Sequence, residues 1–76
     1  MTAGYVPSMT VKSDSTTTAG CIYVGSVNSS TPDDNKANWT IKRITITQDN
    51  DVSIEYAGGE QTPKYKWSER ATLTYK

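Results

Sequence analysis

No histidine occurs in the 76 residues, cysteine occurs once, and phenylalanine does not occur at all. The missing imidazole removes the usual base that activates a serine or cysteine near neutral pH. Cys21 therefore reads as a small buried hydrophobe rather than a reactive thiol. A single cysteine forbids an intrachain disulfide, and without histidine a zinc site built from Cys and His ligands is excluded as well. Eight basic residues balance eight acidic ones, which is not the cationic excess of a general nucleic-acid binder. No apolar run approaches the roughly 18 residues of a membrane-spanning helix. Residues 1–20 show neither the basic start nor the apolar stretch of a secretory signal, and "TAGC" at 18–21 lacks the hydrophobic run of a lipoprotein leader. The expectation is a protein with no cofactor, no metal, and neither nucleic acid nor membrane as partner.

A chain of this length is one domain, and such a domain buries only about 60% of the surface its unfolded chain exposes. Small scaffolds usually compensate with disulfides, metals or association. The first is excluded here and so is a Cys/His zinc site, which leaves burial against neighbouring chains. Twelve threonines, eight serines, five tyrosines and two tryptophans favour strands and turns over helices. The fold class expected is all-β, a small antiparallel meander of about four strands, sandwich- or barrel-like.

Residues 1–19 carry Tyr5, Val6, Met9 and Val11 in a polar, Ser/Thr-rich background. They read as an extended N-terminal arm suited to lying along a sheet edge, or else as a disordered terminus, ahead of a β domain over residues 20–76. "GCIYVGS" predicts the first strand, with Ile22 and Val24 as core candidates. A polar loop of about a dozen residues follows, ending at Asn38. From Trp39 to Thr47 the apolar residues alternate in two phases. Trp39 and Ile41 share one parity, Ile44 and Ile46 the other, so the strand either bulges at Lys42–Arg43 or is buried on both sides. "QDND" at 48–51 is a connection of hairpin length, after which Val52, Ile54 and Tyr56 alternate cleanly. Ala57-Gly58-Gly59 turns the chain. Tyr65, Trp67, Ala71, Leu73 and Tyr75 then share one parity, predicting a final strand over 71–75 with Trp67, Leu73 and Tyr75 in the core.

Few constellations suggest chemistry. The paired carboxylates Asp33–Asp34 and Asp49–Asp51 fall in turns, where aspartate serves backbone hydrogen bonding. "DND" lacks the later glycine and glutamate of a calcium loop. Lys64 to Lys66 interleave with Tyr65 and Trp67 as in a single-strand nucleic-acid platform, but on a strand that spacing puts cations and rings on opposite faces. Arg70 stands between an aromatic and an apolar stretch. Its guanidinium can stack on Trp39 or Trp67 while pairing with Glu69, Glu55 or a carboxylate of another chain.

The succession "CIYVG", a Pro-containing polar loop, "NWTIKRITIT", "VSIEYAGG" and "WSERATLTY" resembles a family of small proteins encoded in tailed-bacteriophage genomes. The likeness runs from Cys21 to Tyr75 and rests on Trp39, Ile41, Arg43, Ile44, Tyr56, Ala57, Gly59, Trp67, Arg70, Ala71, Leu73 and Tyr75. Gly58 stands where the family has Asp, and Ser68-Glu69 where it has an Asp pair. The resemblance implies a virion or virion-associated protein of a tailed phage. Together with the small all-β core, the neutral charge, the N-terminal arm and the lack of catalytic constellations, it leads to the expectation of a non-enzymatic structural protein, a capsid decoration or tail-associated subunit. It would be made in the bacterial host cytoplasm, localised to the phage particle, and present there in repeated or oligomeric copies. The subunit-interaction candidates are Tyr5, Val6, Met9, Val11 and Arg70, acting with the sheet edges. The competing expectation is a binding module for carbohydrate through Tyr5, Tyr23 or Tyr65, or for single-stranded nucleic acid through Lys64–Trp67.

Overall fold

The computed structural model describes residues 9–76. Tyr5 and Val6 lie outside the described residues. The chain forms one four-stranded antiparallel meander: β1 (Thr10–Asp14), β2 (Cys21–Val27), β3 (Thr40–Ile46) and β4 (Val52–Tyr56), paired in sequence order. The all-β meander is as expected, but its fourth strand is not. Residues 71–75 contribute only one isolated bridge, Ala57 to Tyr75. The fourth strand comes instead from the segment read as an arm, where Thr10–Asp14 pairs along Asp14–Tyr23 to Thr10–Val27 as an edge strand.

The parity shared by Tyr65, Trp67, Leu73 and Tyr75 does not mark a strand because a 3-10 turn at Trp67–Glu69 interrupts it. Backbone bonds bring this segment back over the sheet. Trp39 and Tyr65 exchange hydrogen bonds of 2.9 and 3.1 Å, and Gly58 N–H donates to Thr74 at 2.8 Å. The C-terminal segment is thus a cover laid on one face of the sheet.

The core lies between that cover and the sheet. It consists of Tyr23, Val27, Trp39, Ile41, Ala57, Trp67 and Tyr75, with Tyr65 and Leu73 packed against it. Trp39 and Trp67 have ring centroids 5.6 Å apart, and Tyr23 and Tyr75 lie 5.8 Å apart. Gly25 makes room for the indoles. A β-carbon there would come within 2.5 Å of Trp67 Cε3 and 3.1 Å of Trp39 Cε3. Burial pushes the Tyr75 phenol up to about 12, and its hydroxyl donates to Arg70 O at 2.7 Å.

Of the predicted core residues, Trp39, Ile41, Trp67 and Tyr75 are buried and Leu73 packs beside them. Ile22, Val24, Ile44, Ile46, Val52, Ile54 and Tyr56 do not belong to this core. The register places all seven on the opposite face, because side chains alternate across a strand.

Since both indoles are buried and neither can yield cheaply, Gly25→Ala is expected to cost about 1–3 kcal/mol by overpacking. A urea unfolding curve read by tryptophan fluorescence checks this. An unchanged midpoint would show that the indoles do not depend on the bare backbone at Gly25.

Candidate functional site, an open aliphatic face

The ladders β2–β3 and β3–β4 run without interruption, Cys21–Thr45 to Ser26–Thr40 and Lys42–Tyr56 to Ile46–Val52. No bulge occurs at Lys42–Arg43. The change of phase in β3 is a change of face: Ile41 points to the core, Ile44 and Ile46 away from it. At the crossing, Arg43 remains on the core face, where its guanidinium lies 4.9 Å from the Tyr75 ring and pairs with Glu55 at 2.7 Å. Lys42 faces the other way.

The register arranges the open face in rows. Ile22, Ile44 and Ile54 stand opposite one another across three strands. Toward the β3–β4 hairpin lie Ile46 and Val52, and toward the other end lie Ser13, Val24, Lys42 and Tyr56. A last row holds Val11, Ser26 and Thr40. The C-terminal cover lies on the far side of the sheet, and on this side Val52 is 60% exposed, Ile54 54% and Ile46 44%, while Ile22, Val24, Ile44 and Tyr56 are half-buried. Val11 and Met9, named as interaction candidates, are exposed too, at 62% and 60%. Aliphatic side chains standing in rows across adjacent strands form a contiguous apolar surface, the kind of surface that marks an interaction site.

Two features bound this face. A depression of about 260 Å³ opens between Val11, Val24, Thr40, Lys42 and Tyr56. At the opposite end the hairpin tip is held by Thr47 N–H to Asp51 O at 2.9 Å and by Asn50 in the left-handed region at φ 64°. That conformation suits asparagine. Asp49 and Asp51 project at this tip, and neither has an ion-pair partner among the described residues; nor does Lys42.

Arg70 lies on the covered side. Its guanidinium stacks 4.6 Å from the Trp67 ring, and Nη1 donates to Trp67 O at 3.1 Å. The stacking partner is one of the two foreseen. The ionic partner is neither Glu69 nor Glu55 but Asp14, 2.9 Å from Nε. Asp14 also accepts from the backbone N–H and hydroxyl of Thr16 and of Thr17. Those donors, Thr17 first, hold its carboxyl far below the usual carboxylate range. With Lys12 bonded to Asp34 at 2.7 Å, the clasp fixes β1 to its own chain. The inward-facing side chains of this edge strand are thus charged or polar, a common guard against unwanted pairing.

Tyr23 and Trp67 are 3% and 4% exposed, so neither ring is free to stack on a sugar or a base. Tyr65 is half-buried, and Lys64 pairs with Glu60 at 2.8 Å. Among the described residues, no cluster of three Cys, Asp or Glu could hold a metal ion, and no helix is long and apolar enough to cross a membrane. No family model, curated protein or solved structure matches the chain.

The folded Asp14 pKa lies below the unfolded value of about 4, so its contribution is complete above that pH and is withdrawn as pH falls beneath it. The stability gap between wild type and Asp14→Asn should therefore narrow as pH is lowered from about 6 to 3. Unfolding midpoints at each pH measure the gap, and a constant gap would show that the carboxylate is not what holds β1.

Proposed function

We propose that this protein is a non-enzymatic structural subunit of a tailed-bacteriophage particle, a capsid decoration or tail-associated protein that binds neighbouring subunits. The observation that carries this reading is the open aliphatic face. Among the described residues, Ile54, Ile46 and Val52 stand exposed on a face that continues through half-buried Ile22 and Ile44, while the core uses only the other side of the sheet. Isolated apolar side chains on a surface need no explanation, whereas a contiguous patch across three strands does. A partner that covers it supplies by mass action the stability that a one-sided core lacks.

The phage assignment is supported by the sequence pattern from Cys21 to Tyr75. The residues behind that resemblance fall into two groups with different work to do. Trp39, Ile41, Ala57, Trp67 and Tyr75 form the core and Arg70 clasps it, while Ile44 and Tyr56 lie on the open face. The pattern thus includes one outward aliphatic residue, Ile44, and one outward aromatic, Tyr56, beside the core positions, which suits a subunit in contact with others.

Particles purified from a lysate of the strain that carries this gene are predicted to contain the chain in repeated copies, detectable by mass spectrometry of the digested virion. Intact particles from which it is missing would overturn the assignment.

A further inference from the structure

We infer that the open face is closed by a second copy of this chain, packed face to face about a two-fold axis that crosses the strands along the Ile22–Ile44–Ile54 row. This names the partner for the face on which the proposed function rests.

The rows themselves select the axis. On one face of a strand, side chains repeat every second residue, about 6.7 Å along the chain. Rotation about the isoleucine row sets that row against itself and exchanges rows equidistant from it. The Ile46–Val52 row of each copy then faces the Val24–Lys42–Tyr56 row of the other. The hairpin tip, residues 48–51, one step further out, faces the row holding Thr40 and Ser26.

Both exchanges are complementary. The protruding tip meets the depression of about 260 Å³ between Val11, Val24, Thr40, Lys42 and Tyr56. Lys42, the one charged side chain among the face's rows, reaches the end of the partner that bears Asp49 and Asp51. All three charges lack ion-pair partners among the described residues, and the symmetry makes the pairing twice over. A two-fold axis along β3 would instead lay Lys42 on the Lys42 of the other copy, a like-charge juxtaposition that costs association.

The size is also sufficient. A contact of about 500 Å² on each copy would bury about 1,000 Å² in total, the least that a specific interface is expected to bury. Two sheets so packed would lie about 10 Å apart at the crossing angle of roughly 30° that twisted sheets adopt. The result is an eight-stranded sandwich with a C-terminal cover on each outer side. Its central layer holds twelve isoleucine and valine side chains: Ile22, Val24, Ile44, Ile46, Val52 and Ile54 from each copy.

Light scattering on the purified full chain tests this. The expected result is a species of twice 8.3 kDa that dissociates on dilution through the micromolar range. Ile54→Asp should leave a folded monomer, with the near-ultraviolet dichroism of the buried indoles retained. Lys42→Glu should weaken dimerisation about tenfold or more, and adding Asp49→Lys and Asp51→Lys to it should restore much of the loss, since the pair is formed twice. A wild-type chain that stays monomeric at high micromolar concentration overturns the inference, and so does a dimer indifferent to Ile54→Asp. A charge swap that fails to restore dimerisation overturns the axis. The phage reading fails separately, by absence of the chain from particles, whatever the isolated chain does.

Discussion

The fold depends on the contact between two indoles and a bare stretch of backbone. Trp39 and Trp67 fit together over Gly25, and every other feature of the covered side is arranged around them. Trp39 Nε1–H donates to Asp33 O at 2.9 Å, tying down the long loop before β3. Trp67 opens the 3-10 turn and offers its face to Arg70, whose guanidinium reaches Asp14 and fastens the first strand to the last segment. A chain without disulfides or phenylalanine thus closes its core with two large rings, a pair of tyrosines and one charged clasp. Large aromatic side chains suit this because each brings much apolar area for few ordered torsions.

Among the described residues, the same economy leaves the other side of the sheet without a cover. One C-terminal segment can lie on one face only, and it takes the face with Tyr23, Gly25 and Ile41. The aliphatic side chains of β2, β3 and β4 that point away are a consequence of the sequence rather than of a local distortion, since the ladders are regular through β3. Apolar character passes from one face to the other midway along that strand, and at the crossing the two basic residues Lys42 and Arg43 face opposite ways. Arg43 finds Glu55 and the Tyr75 ring within the chain. Lys42 finds no ionic partner among the described residues, and in the dimer we infer it meets the hairpin carboxylates of the second copy.

Much of this was legible from the residues, and the misreadings have physical causes. Clean alternation identified β4, and the change of phase in β3 was visible as Trp39 and Ile41 against Ile44 and Ile46. Alternation says which side chains share a face, but not which face the rest of the chain will cover, so the outward isoleucines and valines were counted as core. In β2 the run Ile22-Tyr23-Val24 is apolar on both parities. The inward one is marked by Gly25 and Val27, which share the parity of Tyr23. The first strand escaped notice because its core-facing positions are Thr10, Lys12 and Asp14, with no apolar alternation to see. The closing segment resembles a strand in sequence because five apolar residues happen to share a parity across a turn. Stacking of Arg70 on an indole followed from its neighbours in sequence, whereas its salt bridge to Asp14 spans 56 positions and could not be read locally.

The five isoleucines provide a direct probe of whether the open face is covered. Ile41 is 1% exposed in the core, and Ile22, Ile44, Ile46 and Ile54 all point the other way. Relaxation of their methyl protons by a water-soluble paramagnetic agent, followed as the full chain is diluted, separates the two sides of the sheet. Shielding of all five at high concentration, with four becoming accessible on dilution while Ile41 stays protected, is the result expected of a face buried between copies. Four outward isoleucines whose methyls are equally accessible at every concentration would contradict it.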